Sequence, residues 1–188
     1  FRSRQLPGLE ADEKLIWSYK GAMVPASMPK SLFVIGSGAI GIEFASFYRT
    51  LGAEVTVVEM LDRVLPVEDE EISAMAAKAF TKQGMKLMTG TQVIELRKGA
   101  NDVTCVLKDK SGKTEEVTVE RVILAMCIVG NVENIGLEAA GIKVEKTHVV
   151  AGKYGETGVD GVWAIGDLVG APWLAHKAMH EGVIVAEK

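Results

Sequence analysis

Cysteine is scarce in this sequence, and Cys105 and Cys127 are the only two in 188 residues. They form neither a C-x-x-C pair nor a metal-ligand spacing, and two thiols are too few for a disulfide scaffold. A reducing, intracellular compartment is the expectation. Long apolar runs are missing too, and none approaches the roughly 18 residues of a membrane span. There is no basic block: 21 Lys and Arg against 25 Asp and Glu are spread along the chain, for a net charge of −4, so neither nucleic acid nor membrane is expected as a partner. The opening FRSRQLPGLE has the pattern of neither a signal peptide nor a transit peptide and reads like the middle of a protein.

What is present is an ordinary globular composition, 48% hydrophobic and 24% charged, with 20 glycines. The length suffices for one full core, or one core and a fragment of another. Residues 1–28 hold Pro7 and Pro25 and no sustained period; they read as a lead-in in which EKLIWSYKGAM predicts a short helix. Ser31 to Ile35 predicts a short buried strand, and Ala39 to Leu51 a helix with Ile40, Phe44, Phe47 and Leu51 at helical intervals. Gly52 stops that helix, and AEVTVVE follows as a β-branched strand. Strand, turn, helix and strand of this length make a parallel crossover unit.

After Pro66, VEDEEISAMAAKAFTKQG predicts a second helix, acidic in its first turn and followed by Gly84. MKLMTG predicts a short strand. TQVIELRKG, DVTCVLKD and TEEVTVERVILAM predict consecutive strands separated by turn-rich GAND and DKSGK, an antiparallel meander laid onto the parallel unit. NIGLEAAGI predicts a short helix ended by Gly141. Beyond His148 the glycine-rich AGKYGETGVDG loosens the texture. VWAIGD then predicts a buried strand, and APWLAHKAMHEGVIVAEK a closing helix whose apolar face (Leu174, Ala178, Val183) lacks an evident home. The expected class is α/β, with a Rossmann-like parallel sheet and antiparallel β-meander over residues 29–148. Residues 149–188 add a strand and helix that belong to another domain.

Gly36, Gly38 and Gly41 spell G-x-G-x-x-G as GSGAIG, between a predicted strand and a predicted helix. An acidic residue, Glu59, ends the next strand, and these three conditions together point to a dinucleotide. Gly36 permits the tight turn, Gly38 lets the backbone approach a pyrophosphate, and Gly41 packs the helix against the strand. The free N–H groups at the helix start, around Ala39 and Ile40, then face the phosphates. Glu59 would accept hydrogen bonds from ribose hydroxyls and repel a 2′-phosphate, which favours NAD over NADP. Arg63 lies beyond the strand end.

A second candidate is AIGD, Ala164 to Asp167, where a strand ending in Gly-Asp before a helix can place a carboxylate on a ribitol or ribose hydroxyl; a capping aspartate is the plainer alternative. His176 and His180 are four apart, a spacing that suits zinc, but no third ligand stands out and no metal is expected. Cys105 reads as a buried small hydrophobe. Cys127 ends a strand near the expected nucleotide crevice and reads as a packed thiol, with a reactive one the alternative. Met75, Met85 and Met88 read as core filling.

SLFVIGSGAIGIEFASFYRTLGAEVTVVEMLDRVLP, VGNVENIGLE and VWAIGDLVGAPWLAHKAMHEG together resemble the dihydrolipoamide dehydrogenases, within the pyridine nucleotide-disulfide oxidoreductase family. The resemblance runs over nearly the whole chain with several motifs in the right order. It implies that Gly36, Gly38 and Gly41 bind the NAD pyrophosphate and Glu59 the adenosine ribose. It further implies that Glu43, in GIEF, approaches the nicotinamide side. Gly166 and Asp167 would serve the FAD ribitol, while the backbone from Leu174 through Ala175 and His176 to Ala178 lines the isoalloxazine. One departure is AMCIVG, where Cys127 stands in place of a glycine expected near the nicotinamide.

The family's catalytic parts are absent from these residues: a first flavin-binding glycine motif, a Cys-x4-Cys redox disulfide and a His–Glu pair. The chain thus resembles a central fragment, an NAD-binding domain with a stub of an FAD domain and no catalytic residue of its own. In such enzymes two electrons pass from a dihydrolipoyl dithiol to a cysteine disulfide, to FAD, and as hydride to NAD+. The implied partners are the FAD and interface domains of the same chain, a second copy in a homodimer, and a 2-oxo acid dehydrogenase complex. The implied location is a bacterial cytoplasm or a mitochondrial matrix. The alternatives are a sister flavin disulfide reductase, of mercuric reductase, glutathione reductase or NADH peroxidase type, and a non-catalytic nucleotide-binding module.

Overall fold

The computed structural model describes residues 1–4 and 6–188; residue 5, within the lead-in, lies outside that description. The elements run β1 (Arg2–Ser3), β2 (Ile16–Trp17), α1 (Tyr19–Met23), β3 (Ser31–Ile35), α2 (Ala39–Thr50), β4 (Glu54–Val58), α3 (Glu70–Lys82) and β5 (Lys86–Met88). Next come β6 (Thr91–Lys98), β7 (Val103–Asp109), β8 (Thr114–Val119), β9 (Arg121–Leu124), β10 (Ile128–Val129), β11 (Val144–Glu145), β12 (His148–Val149), a 3-10 helix (Gly166–Val169) and α4 (Ala175–Ala186). Among the described residues no helix is long and apolar enough to cross a membrane.

The chain forms two compact units, Ser3–Cys127 and Phe1–Arg2 with Ile128–Lys188. These divisions differ from those at 28 and 148 drawn on the sequence. Ile16 and Trp17 pair in parallel with Val122 and Ile123, which draws the lead-in into the larger unit. In the smaller one, Ile142 shares a core with Val149 and Ala164, so the residues on either side of 148 pack together.

The larger unit is α/β, with a parallel sheet of order β2-β9-β3-β4-β5 and an antiparallel β6-β7-β8 meander. Strand β3 is buried from Leu32 to Ile35 because both sheet faces are covered, as the near-continuous apolar run requires. Leu32, Val34, Val55 and Val57 meet Ile42, Ala45 and Tyr48 of α2 on one side. Phe33, Ile35, Val58 and Val122 meet Val93, Val103, Cys105 and Leu107 of the meander on the other.

Several elements depart from the sequence expectations. EKLIWSYKGAM is not one helix: Asp12 Oδ1 accepts from the amides of Lys14, Leu15 and Ile16 and turns the chain into β2, and the Ser18 side chain caps the short α1. TEEVTVERVILAM divides at Glu120, with β8 staying in the meander and β9 entering the parallel sheet. The Glu120 amide donates to Ser31 Oγ (3.0 Å) and its carboxylate accepts from the Lys30 amide (2.8 Å), which pins the crossing.

The stripe of α2 that faces the sheet is Gly41, Ile42, Ala45 and Tyr48. The Ile40–Phe44–Phe47–Leu51 stripe is offset from it, and Phe47 and Leu51 are each 54% exposed. Met75 is exposed on α3, whereas Met85 is buried and Met88 packs against the core. NIGLEAAGI forms turns rather than a helix, and VWAIGD forms an isolated bridge from Trp163 to Glu156 followed by the 3-10 helix. In the smaller unit β11 and β12 pair antiparallel, and α4 buries none of its residues. Leu174 and Val183 are exposed.

Cys105 is fully buried at the centre of the meander, and burial pushes its thiol up to about 12, while Cys127 is exposed. Ellman's reagent should therefore titrate one thiol in the native chain and two in urea. The sign of the pH effect comes from the unfolded thiol, which ionises near its ordinary value of about 8.5 while the folded one stays protonated. Cys105 thus favours the unfolded state increasingly as pH rises above that value, by about 1.4 kcal/mol per pH unit. Urea midpoints measured across alkaline pH should fall less steeply in Cys105→Ala.

Candidate functional site

The turn between β3 and α2 is built from backbone rather than side chains. Gly36 has a φ of +102°, its amide donates to the Val58 carbonyl (2.9 Å), and a Cβ there would lie 2.6 Å from the Ala125 carbonyl oxygen. At Gly41 a Cβ would lie 2.0 Å from the Gly36 carbonyl oxygen. Both glycines are demanded by the protein's own packing. Gly38 is different, because, its chain neighbours aside, no atom of the described residues lies within 4 Å of where its Cβ would be. That open space adjoins the start of α2, where Gly38 is the N-cap and no side chain caps the helix. The Ile42 amide bonds to the Gly38 carbonyl (3.0 Å), and the helix amides before it lack an intrahelical acceptor. Ala39 and Ile40 are exposed beside them. An uncapped, positively polarised helix end next to unfilled space fits an anion such as a pyrophosphate.

Glu59 follows β4 and reaches back to this turn. Its Oε2 accepts from both the amide (2.9 Å) and the hydroxyl (2.8 Å) of Ser37, and Oε1 accepts from the Leu61 amide (2.9 Å). Ser37 is fully buried, and its carbonyl accepts from the Leu65 amide (2.9 Å). The guanidinium of Arg63 is directed elsewhere, to Glu70 Oε1 (2.7 Å) and the Pro66 carbonyl (3.3 Å), although its Nε is buried without a partner among the described residues. Cys127 does not end β9 but lies past it, directly before the first residue of β10, and its carbonyl accepts from the Arg4 amide (2.9 Å). It comes directly after Met126, whose Cα would stand 3.2 Å from a Cβ at Gly36. Glu43 is exposed on α2 and, with Phe47, Leu51 and Phe80, lines an open groove. The structure therefore gathers Gly36, Gly38, Ala39, Ile40, Gly41 and Glu59 at one turn, with Glu43 farther along the helix.

The remaining sequence candidates lie in the smaller unit. Gly166 and Asp167 open the 3-10 helix, Leu174 is the N-cap of α4, and Ala175 and His176 are its first residues. Lys177 Nζ donates to the carbonyls of Gly166 and Gly170 (3.2 Å each) and pairs with Glu181 (3.1 Å). The Gly166 amide donates to Glu181 Oε2 (2.7 Å), and this bond, helped by Lys177, holds the Glu181 carboxyl below its ordinary value. The Asp167 side chain caps nothing and makes no hydrogen bond among the described residues. His176 and His180 are both exposed, and no group of three or more metal-ligating side chains forms among the described residues. Sequence reasoning missed this Lys177–Glu181 clamp, whose only signal is an i, i+4 charge pair, and it missed the role of Ser37.

The family model of the pyridine nucleotide-disulphide oxidoreductases matches residues 2–182. The chain belongs to that family. It is 52% identical over 187 residues to a dihydrolipoyl dehydrogenase of Rhizobium etli and 50% identical over 186 residues to one of Zymomonas mobilis. Those matches cover 100% and 99% of this chain but 39% and 40% of the relatives, so the chain spans about two fifths of their length. Among solved structures, LpdA from Mycobacterium tuberculosis superposes with a TM-score of 0.87 at 28% identity, covering 97% of this chain and 39% of LpdA. The flavoprotein disulfide reductase RclA from Escherichia coli shares the fold with a TM-score of 0.86 at 24% identity, covering 99% of this chain and 42% of RclA.

The three glycines of this family member should respond differently to a methyl group. Gly41→Ala and Gly36→Ala are expected to cost more than about 2 kcal/mol in urea unfolding, since backbone must move. Gly38→Ala should stay within about 1 kcal/mol of the parent. Equal losses at all three would contradict the packing described.

Proposed function

We propose that this chain is the NAD-binding part of a dihydrolipoyl dehydrogenase, carried by the unit Ser3–Cys127, with the smaller unit contributing to an FAD-binding part. The observation that carries the reading is the open space at Gly38 beside the uncapped start of α2, with the Glu59 carboxylate held on the amide of the preceding residue, Ser37. The sequence identity to dihydrolipoyl dehydrogenases supports it. When bound, the two cofactors supply a hydride acceptor in NAD+ and a two-electron carrier in FAD.

The residues of this chain have positioning roles. The amides of Ala39, Ile40 and Gly41 take the pyrophosphate, with Gly36 and Gly38 keeping the approach open. Glu59 takes the adenosine ribose hydroxyls, and Glu43 and the Cys127 segment stand on the nicotinamide side. Gly166, Asp167 and the backbone of Leu174, Ala175 and His176 stand on the FAD side. Neither cysteine belongs to a Cys-x4-Cys pair, so the chain alone binds NAD without oxidising dihydrolipoyl groups. The whole enzyme, which acts through a redox disulfide, is proposed to be a homodimer serving a 2-oxo acid dehydrogenase complex.

Paired fluorescence titrations with NADH and NADPH test this reading. The chain should prefer NADH by tenfold or more, about 1.4 kcal/mol or above. Glu59→Ala should erase most of that preference. Equal affinity for both nucleotides in the parent, or binding of neither, would overturn the proposal.

A further inference from the structure

Ser37 occupies the second position of the glycine motif, where a small residue of any kind would satisfy the turn. Its burial is complete, and both of its donors converge on a single oxygen, Glu59 Oε2, at 2.9 Å from the amide and 2.8 Å from the hydroxyl. The other oxygen, Oε1, receives one donor, the Leu61 amide, at 2.9 Å. A carboxylate offers about four lone-pair sites. Three are taken among the described residues, two of them on Oε2, so the capacity left over there lies on Oε1. The hydroxyl is the one member of this set that a substitution can remove without touching the main chain.

Granted the dinucleotide reading above, on which this rests, we infer that Ser37 is a positioning residue that sets ribose recognition by fixing the Glu59 carboxylate. A glutamate held at both oxygens is ordered when the chain folds rather than when the nucleotide binds, which favours affinity for a ribose hydroxyl. The same fixation works against a 2′-phosphate, because a held carboxylate cannot swing away from the added charge. Without the hydroxyl, Oε2 keeps only the Ser37 amide, and the side chain gains freedom to turn. Ser37 thereby acts on cofactor choice without touching the cofactor.

The test is a cycle between the protein hydroxyl and the ribose hydroxyl, with NADH and 2′-deoxy-NADH titrated against the parent chain and Ser37→Ala. The NADH Kd should rise five- to tenfold in Ser37→Ala while that of 2′-deoxy-NADH changes less than twofold, and the preference for NADH over NADPH should shrink. Ser37→Gly, which also lacks the hydroxyl, should behave the same way and serves if the alanine variant does not fold. An equal rise for NADH and its deoxy analogue would mean a purely structural serine and overturn the inference, as would no change for either. If the parent itself binds both equally, the ribose role of Glu59 fails and the inference with it. If the parent binds no nucleotide, the dinucleotide reading fails first.

Discussion

Where the first turn of α2 passes over the end of β3, the helix comes so close that a methyl group on Gly41 would stand 2.0 Å from the Gly36 carbonyl oxygen. Gly36 in turn leaves no room for a side chain against Ala125, at the end of β9. These two approaches bind the central strand, its neighbour and the crossover helix at one point. They also rotate α2 so that Ile42, Ala45 and Tyr48 meet the sheet, which leaves Phe47 and Leu51 outside. With the helix seated this way, its uncapped start opens onto the space at Gly38. The packing that stabilises the unit and the geometry that suits an anion are therefore one arrangement.

A second layer of order comes from hydrogen bonds rather than from packing. Ser37 receives the Leu65 amide on its carbonyl and gives its two donors to Glu59, which also holds the Leu61 amide. The loop after β4 is thus tied to the glycine turn by a buried serine and a half-buried carboxylate. Each bond contributes modestly, but a buried donor left without its acceptor would cost more than the bond itself gains. The same logic recurs in the smaller unit, where Lys177 and Glu181 satisfy backbone groups of Gly166 and Gly170.

Much of this architecture is legible in the sequence, and the failures have physical causes. The β3–α2–β4 crossover and the meander are readable because β-branched runs and glycine punctuation act locally. The face of α2 is misjudged because its apolar residues are spread widely, and the choice among them is made by the close contact at Gly41, which no periodicity records. TEEVTVERVILAM reads as one strand because its break at Glu120 depends on bonds to Lys30 and Ser31, far away in sequence. NIGLEAAGI has helical composition, but its short span holds two glycines, Gly136 and Gly141, and settles into turns. Met75 is an apolar residue on a helix with a single buried residue, Ser73, so composition alone misplaces it. At the glycine turn, the positions of Gly36, Gly41 and Glu59 are readable from spacing, whereas the bond network around Ser37 needs three dimensions.

The central claim is that a dinucleotide seats its pyrophosphate on the backbone of the β3–α2 turn. The most direct measurement is an amide-resolved NMR titration of the isotope-labelled chain with NAD+. The amides of Gly38, Ala39, Ile40 and Gly41 should show the largest shifts, with smaller ones at Ser37 and Leu61 where the Glu59 carboxylate is held. Saturable shifts centred elsewhere in the chain, with this turn unmoved, would contradict the account.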